Sequence, residues 1–336
     1  MIGLFIILIL VLFLPFTVKK IEHNLEVFLF IMGIAAATVS GMMSDRLIAK
    51  AVSDPITITL AVLVAGLVTK WAHHPLERAI LATSKALTPR IFLALMVIFL
   101  GLASSIITAI IAAIILVLIV NVLPLERQSE IHFTVLACFS IGLGAALTPI
   151  GEPLSTIVVS RTDQDFDYLF DLIGIEVTFT VIVLGLLSMF LVKTRTGSNR
   201  LGSKQPAETY SEIIIRAAKI YLFVMGLTFL GNGFSPLIET YILGLRPELL
   251  YWINMISSVL DNATLAAAEV SPSMDRDTIR AILLGLLIAG GMLIPGNIPN
   301  IIAAGKLNIT SKEWAVFGLP IGTIAMTVFF VILFIF

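Results

Sequence analysis

The chain has 336 residues, 58% of them hydrophobic and only 13% charged, with a formal net charge of −1. A soluble domain carries roughly 45–50% apolar and about 25% charged residues, so this composition cannot coat a globule with polar surface and implies lipid as the solvent. The near-zero charge argues against a nucleic-acid partner, and the single cysteine, Cys138, excludes a disulfide within the chain.

In chain order, apolar runs of spanning character fall at about 2–17, 25–43, 56–71, 132–160, 171–192, 213–231, 279–304 and 314–336. The first run has no basic residues before it and no small-residue cleavage site, and Lys19 and Lys20 follow it. It reads as a retained membrane segment rather than a signal peptide. Two further apolar stretches, 91–122 and 248–270, are interrupted by Ser104-Ser105 and Ser257-Ser258. Each fits a re-entrant helical hairpin better than two full crossings, because irregular backbone at membrane depth is tolerated only where protein or a water cavity shields it. Each is followed by a span broken by two prolines four residues apart, Pro149 and Pro153 in the first half, Pro295 and Pro299 in the second.

The linker at 193–204 carries Lys193, Arg195, Arg200 and Lys204 and no acid, which places it in the cytoplasm. Counting spans from it puts the N-terminus outside, the acidic loop 161–171 outside, and Arg78, Lys85, Arg90, Lys306 and Lys312 inside. The two hairpins then enter from opposite sides. The expected fold is an all-α polytopic membrane protein of inverted-topology repeats, each with a re-entrant hairpin and a broken transmembrane helix. Residues 1–55 form an added helix pair, 56–192 repeat 1 (hairpin 91–122, broken helix 132–160), 193–212 the cytoplasmic linker, and 213–336 repeat 2 (hairpin 248–270, broken helix 279–304). Short amphipathic surface segments are expected at 74–88 and 236–246.

Paired interruptions at corresponding places in two halves point to the substrate site of a secondary transporter. Broken helices leave carbonyls and N–H groups without partners, and carbonyls, hydroxyls and carboxylates together suit a small hard cation. The candidates are Ser104, Ser105 and Thr108 at the first tip, and Thr148, Gly151, Glu152, Ser155 and Thr156 at its partner break. The second half offers Ser257, Ser258, Asp261, Asn262 and Thr264 at the tip, and Gly296, Asn297 and Asn300 at the break. Asp261 and Glu152 decide the chemistry. A carboxyl at membrane depth costs at least ~2.5 kcal/mol and persists there if protonated, paired or cation-bound, so one group can exchange a proton for Na⁺.

Plainer roles compete for each residue. A Ser-Ser pair in a membrane helix commonly serves close packing, a proline a kink, and Asp261 with Asn262 a helix cap. Glu176 is either a proton relay or a near-surface acid. Glu269 is placed near the outer interface. His23, His73, His74 and His132 lie at span ends, and no Cys/His spacing suits a metal. No catalytic enzyme constellation and no cofactor motif is present.

The segment SSVLDNATLAAAEV with GGMLIPGNIPN is similar to the second half of the ion transporter superfamily, and LTPIGEPLSTI resembles the first-half break of its sodium/proton antiporters. The resemblance covers the chain from about residue 56 onward and is nearest to a small group of predicted cation transporters. It implies inverted repeats, elevator movement of a transport domain against a scaffold, and a homodimer in the inner (plasma) membrane. It also implies cation coordination by Ser104, Ser105, Thr148, Ser257, Ser258, Asp261, Asn262, Gly296 and Asn297, with Asp261 and Glu152 titrating. The expectation is Na⁺ (or Li⁺)/H⁺ exchange, with Na⁺ held at Asp261, Asn262, Ser258 and Glu152. A Na⁺-coupled carrier of an organic or inorganic anion is the alternative, and a gated channel a third reading.

Overall fold

The computed structural model describes residues 2–22, 24–71, 75, 78, 82–83, 87–193, 209–241, 245–258, 262–270 and 274–335. Among them every regular element is helical. In chain order these are α1 (Ile2–Thr17), α2 (Lys19–Glu22), α3 (Leu25–Val39), α4 (Asp45–Trp71), α5 (Pro89–Ile107), α6 (Ala109–Val122), α7 (Arg127–Ala145), α8 (Pro153–Thr162) and α9 (Tyr168–Leu191). After the linker come α10 (Tyr210–Tyr241), α11 (Pro247–Ile253), a 3₁₀ turn (Asn254–Ser258), α12 (Asn262–Glu269), α13 (Arg276–Met292), a second 3₁₀ turn (Ile294–Gly296), α14 (Ile298–Leu307) and α15 (Ser311–Phe334).

Segments within α4, α5, α9, α10 and α15 are long and apolar enough to cross a membrane. Their outward faces are greasy at helical spacing. Ile175, Phe179, Ile182, Leu186 and Phe190 form one exposed stripe along α9, and Val316, Leu319, Ile324, Val328 and Ile332 another along α15. Stripes of that extent on the outside of a folded chain need an apolar solvent. The chain is an all-α membrane-embedded protein.

The helices sort into two bundles. In the first, α10 packs along both α3 and α4, and α1 packs on α3. The α3/α10 crossing is a backbone-to-backbone contact: a Cβ at Gly226 would lie 2.7 Å from the Phe30 nitrogen, and one at Gly233 2.6 Å from the Ala37 nitrogen. Small residues at such crossings let helices associate in lipid, where no hydrophobic force drives them together. The second bundle contains α5 to α9 and α11 to α15, with α5, α7 and α9 packed on one another and α13 packed on α11, α12 and α15. The bundles meet mainly where α6 touches α4 and α12 touches α10. Val62, Ala113, Ile114, Ile220 and Ile302 make a small apolar cluster at that boundary.

Within the second bundle the packing is reciprocal. The helix after the first interruption, α6, lies on α14, and the helix after the second, α12, lies on α8. Likewise α7 meets α9 and α15, and α13 meets α15 and α9.

Two sequence expectations shift. The span placed at 56–71 begins at Asp45, because the helix continues through Pro55 with its charged first turns exposed, and Tyr221 donates to the Val52 carbonyl at 2.9 Å, one turn before the proline. The surface segment placed at 236–246 is, up to Tyr241, the continuation of α10 through Pro236. Most of 74–88, and 194–208 of the linker, lie outside the described residues. At the start of α13, Asp275 caps the helix. The Thr278 backbone N–H and hydroxyl hold its carboxyl below the usual carboxylate range.

Candidate functional site at two matched helix breaks

Each broken helix stops, turns through a glycine, and restarts as a helix of ten residues, α8 or α14. The residue before each restart is extended and polar: Glu152 at φ −155°, ψ 159° and Asn297 at φ −152°, ψ 147°. Each restarted helix ends in a left-handed residue, Asp163 at φ 51° and Asn308 at φ 50°, the usual device for closing the last turn. Superposing the caps equates Gly151-Glu152 with Gly296-Asn297. The proline pairs then fall one residue out of register, because Pro153 is the first residue of α8 whereas Pro299 is the second of α14. Proline fits both places, since the first N–H groups of a helix have no partner within it.

The carbonyls left at the ends of the incoming half-helices are met by equivalent residues. Ser155 donates to Ala146 O at 3.2 Å, and the Asn300 amide to Gly290 O at 2.8 Å and Leu293 O at 2.9 Å. Ser155 and Asn300 are fully buried, so each break is held closed from inside.

The turn between α5 and α6 sits on the first break. Thr108, between α5 and α6, has φ +73°, a conformation that side-chain-bearing residues rarely adopt. The following N–H, of Ala109, donates to Gly151 O at 3.0 Å, and Thr148 Oγ1 donates to Ser105 O. Ser105, Thr108, Thr148 and Gly151 are therefore brought together, with Glu152 next in the chain and only 8% exposed. Ser104 is fully buried and bonds elsewhere, to Gly101 O at 2.6 Å and Ile141 O at 2.9 Å. That hydroxyl serves the α5/α7 crossing. The Ser105 hydroxyl turns to Leu102 O of its own helix at 2.7 Å. Thr156 donates to Pro149 O at 2.6 Å and steadies the first break.

In the second half Asn262 opens α12 and is 4% exposed, with neither side-chain polar atom hydrogen-bonded. It lies against Gly290, where a Cβ would collide with its amide, so Asn262 and Asn300 share the end of α13. Asn297 accepts from the Ile298 N–H at 2.9 Å, and its amide lies over Gly142 of α7. With Cys138 Sγ donating to Pro299 O at 3.6 Å, this joins the second break to the first broken helix. Asp261, and the side chains of Ser257, Ser258 and Thr264, lie outside the described residues. The distance from Asp261 to Glu152 is thus not part of the described geometry. Among the described residues no group of three His, Cys, Asp or Glu stands together.

A cavity of about 660 Å³ opens between the two bundles. It is lined on one side by Arg216, Lys219 and Ile220 of α10 and on the other by Ile302 and Lys306 of α14, and it reaches Ile294 at the second break.

The family model of a protein of unknown function, DUF1646, matches residues 1–336. The chain belongs to this family. Curated proteins give no match to it. The family description carries no activity, so what the DUF1646 chain does is argued from its own residues.

Three of those residues have contacts that sequence reasoning did not supply. Glu176 of α9 is ion-paired with Arg280 of α13, and this pairing between halves could not be read from either segment alone. Glu269, expected near the outer interface, is 1% exposed and accepts from the Asn254 amide at 3.0 Å. It sits at the last position of an eight-residue helix and turns inward to the preceding 3₁₀ turn. The signal for it was a lone acid in an otherwise apolar run. His132 stacks on Phe317 with ring centroids 4.1 Å apart, a packing role. His23, His73 and His74 lie outside the described residues.

Proposed function

We propose that this DUF1646 protein is a secondary transporter exchanging Na⁺ or Li⁺ for H⁺ at the two helix breaks. The observation that carries the reading is the matched pair of breaks, each with a polar residue, Glu152 or Asn297, capping a ten-residue half-helix inside an apolar bundle. A single break is a kink. Two breaks with the same backbone conformation at the N-cap, each associated with an interrupted helix from its own half, are what a midplane binding site made of half-helices requires. The reciprocal packing of α6 on α14 and α12 on α8 supports an internal repeat, and the charge distribution of the loops supports opposite orientation of its halves.

The hypothesised cycle begins with Glu152 and Asp261 deprotonated and the cation held by carboxylate, amide and carbonyl oxygens of the tips and breaks. The second bundle then shifts against α3, α4 and α10, the cation leaves, and protonation of the carboxyls permits the return. Two features favour such a shift. The bundles share a cluster of small and β-branched apolar residues, and the cavity beside it leads to the second break. With the linker cytoplasmic, that cavity faces the cytoplasm. Water, a lipid bilayer and a second copy of the chain complete the assembly.

The test is cation-dependent proton flux in vesicles. Asp261→Asn is expected to abolish exchange while the purified protein still elutes as a folded particle. Flux at the wild-type rate in that variant would remove Asp261 from the site. The alternative is Na⁺-coupled uptake of an anion, although Arg216, Lys219 and Lys306 around the cavity are accompanied there by Glu212 and by Glu26, which is ion-paired with Lys219. Accumulation of a labelled dicarboxylate or oxyanion in the same vesicles selects it over antiport.

A further inference from the structure

Away from the two breaks, the second half holds another buried acid whose surroundings are incomplete in a specific way. Glu269 and Asn254 are each 1% exposed. They share one hydrogen bond, from Asn254 Nδ2 to Glu269 Oε2 at 3.0 Å. Each keeps one buried oxygen with no hydrogen-bond partner, Glu269 Oε1 and Asn254 Oδ1. Both are acceptors, so an ionised Glu269 leaves two acceptors stranded in the interior. A buried polar atom without a partner costs about 1–3 kcal/mol, more when charged, and an ionised carboxylate in apolar surroundings neutralises rather than stays charged.

Among the described residues no charge makes contact with Glu269 to offset that cost. The elements packed around α12 are α8, α10 and α13, and Asn254 joins it to α11. Arg276, Asp277 and Arg280 of α13, Glu248 of α11 and Glu152 at the start of α8 make no described contact with Glu269, and Arg280 is engaged by Glu176. The side chains of Arg161 and Glu239 lie outside the described residues.

One proton resolves both deficits. Placed on Oε1, it converts that oxygen from a stranded acceptor into a donor, and the acceptor that lacks a donor belongs to the amide already bonded to the same carboxyl. The result is a closed acid–amide pair in which each group gives one hydrogen bond and takes one. We propose that Glu269 is a proton-binding carboxyl separate from the cation-site acids, held in its neutral form by reciprocal hydrogen bonding with Asn254. The proton comes from water and returns to water, and no covalent bond between heavy atoms changes. Because α12 is the half-helix that carries Asn262 at its other end and packs on α8, loss of that proton strands a charge inside the second tip.

The inference does not depend on the transport reading, and its test does not use flux. Infrared spectroscopy of the purified protein in lipid at neutral pH is expected to show a carboxylic-acid C=O band that shifts on incorporation of ¹³C-glutamate. Glu269→Gln, whose amide preserves the pairing, is expected to fold and lose that band, whereas Glu152→Gln retains it. Asn254→Val, which removes the partner, is expected to move the band to higher frequency, and this assigns it even if Glu269→Gln fails to fold. Absence of any protonated-glutamate band in the wild type at neutral pH, or a band unchanged by both Glu269→Gln and Asn254→Val, overturns the proposal.

Discussion

Glu176→Ala is expected to cost about 3 kcal/mol of stability, Arg280→Ala a similar amount, and the double substitution far less than their sum. The two side chains are ion-paired between α9 and α13, with Glu176 11% and Arg280 31% exposed. Removing one partner of a buried pair typically costs ~3–5 kcal/mol because the other charge is stranded. The partial exposure of Arg280 puts this case at the lower end. Replacing both leaves no charge to strand. A second arginine–glutamate pair also runs between the halves, Arg127 of α7 with Glu313 of α15, at 2.9 Å. These side chains are 44% and 34% exposed, and the loss of such a pair costs about 1 kcal/mol or less. Arg127 also donates to Leu307 O and Asn308 O, satisfying the last carbonyls of α14, while Thr310 and Glu313 close a capping box on α15. Its removal therefore loosens the α14/α15 corner locally. Denaturation midpoints of the four single variants and the two doubles, in one detergent, separate these cases. Additive losses at Glu176 and Arg280 would show that the pair is not a unit. The pairing also bears on the choice left open for Glu176. Glu176 is engaged by Arg280 and stands outside the proposed cation site, so the double variant is expected to retain cation-dependent proton flux.

How much of this was legible in the sequence depends on the range over which each feature is determined. The spans at α9 and α15 follow from local hydrophobicity, and the breaks follow from Gly, Pro and polar residues falling together, since proline alone does not break α4 at Pro55 or α10 at Pro236. The caps were partly legible. Gly151-Glu152 and Gly296-Asn297 were both singled out, but matching the proline pairs misaligns them by one residue, since proline is equally at home at the first and second positions of a helix. Side-chain direction was not legible. Ser104 and Ser105 are neighbours, yet Ser104 bonds into the α7 crossing, and only the helix partner determines that. The Glu176–Arg280 pair spans 104 residues, and Glu269–Asn254 depends on the chain folding back over 15. Nothing in a single pass along the chain supplies those distances. The split into two bundles was also hidden, because α4 and α10 look like any other spans. Their separation from the breaks is set by the close approach of glycines on α10 to α3.

The α5/α7 crossing makes the second large prediction. Gly144 of α7 lies so close to α5 that a Cβ there would fall on the Gly101 carbonyl carbon and oxygen. Around that point Ser104 bonds to Ile141 O and Ser140 to Val97 O at 2.9 Å, both across the crossing. The obstacle is backbone on a buried helix, so no rotamer change relieves it. Gly144→Ala forces the helices apart, with an expected loss of ~1–3 kcal/mol from overpacking in addition to the two inter-helix hydrogen bonds, each worth ~1 kcal/mol. Gly144→Val is expected to yield no monodisperse protein. Gly305, a helical glycine of α14 with open space around its Cβ position, supplies the contrast. There alanine removes only the entropic penalty of glycine, and Gly305→Ala is expected to gain ~0.5–1 kcal/mol. Both variants carry the same chemical change, so opposite shifts in the melting temperature isolate the contact from the residue type. Equal, small shifts at the two positions would mean that α5 and α7 do not approach at Gly144. The alignment of Thr148 with Ser105, and hence the first half of the proposed cation site, would then lose its support, because the same crossing places the first tip against the first break.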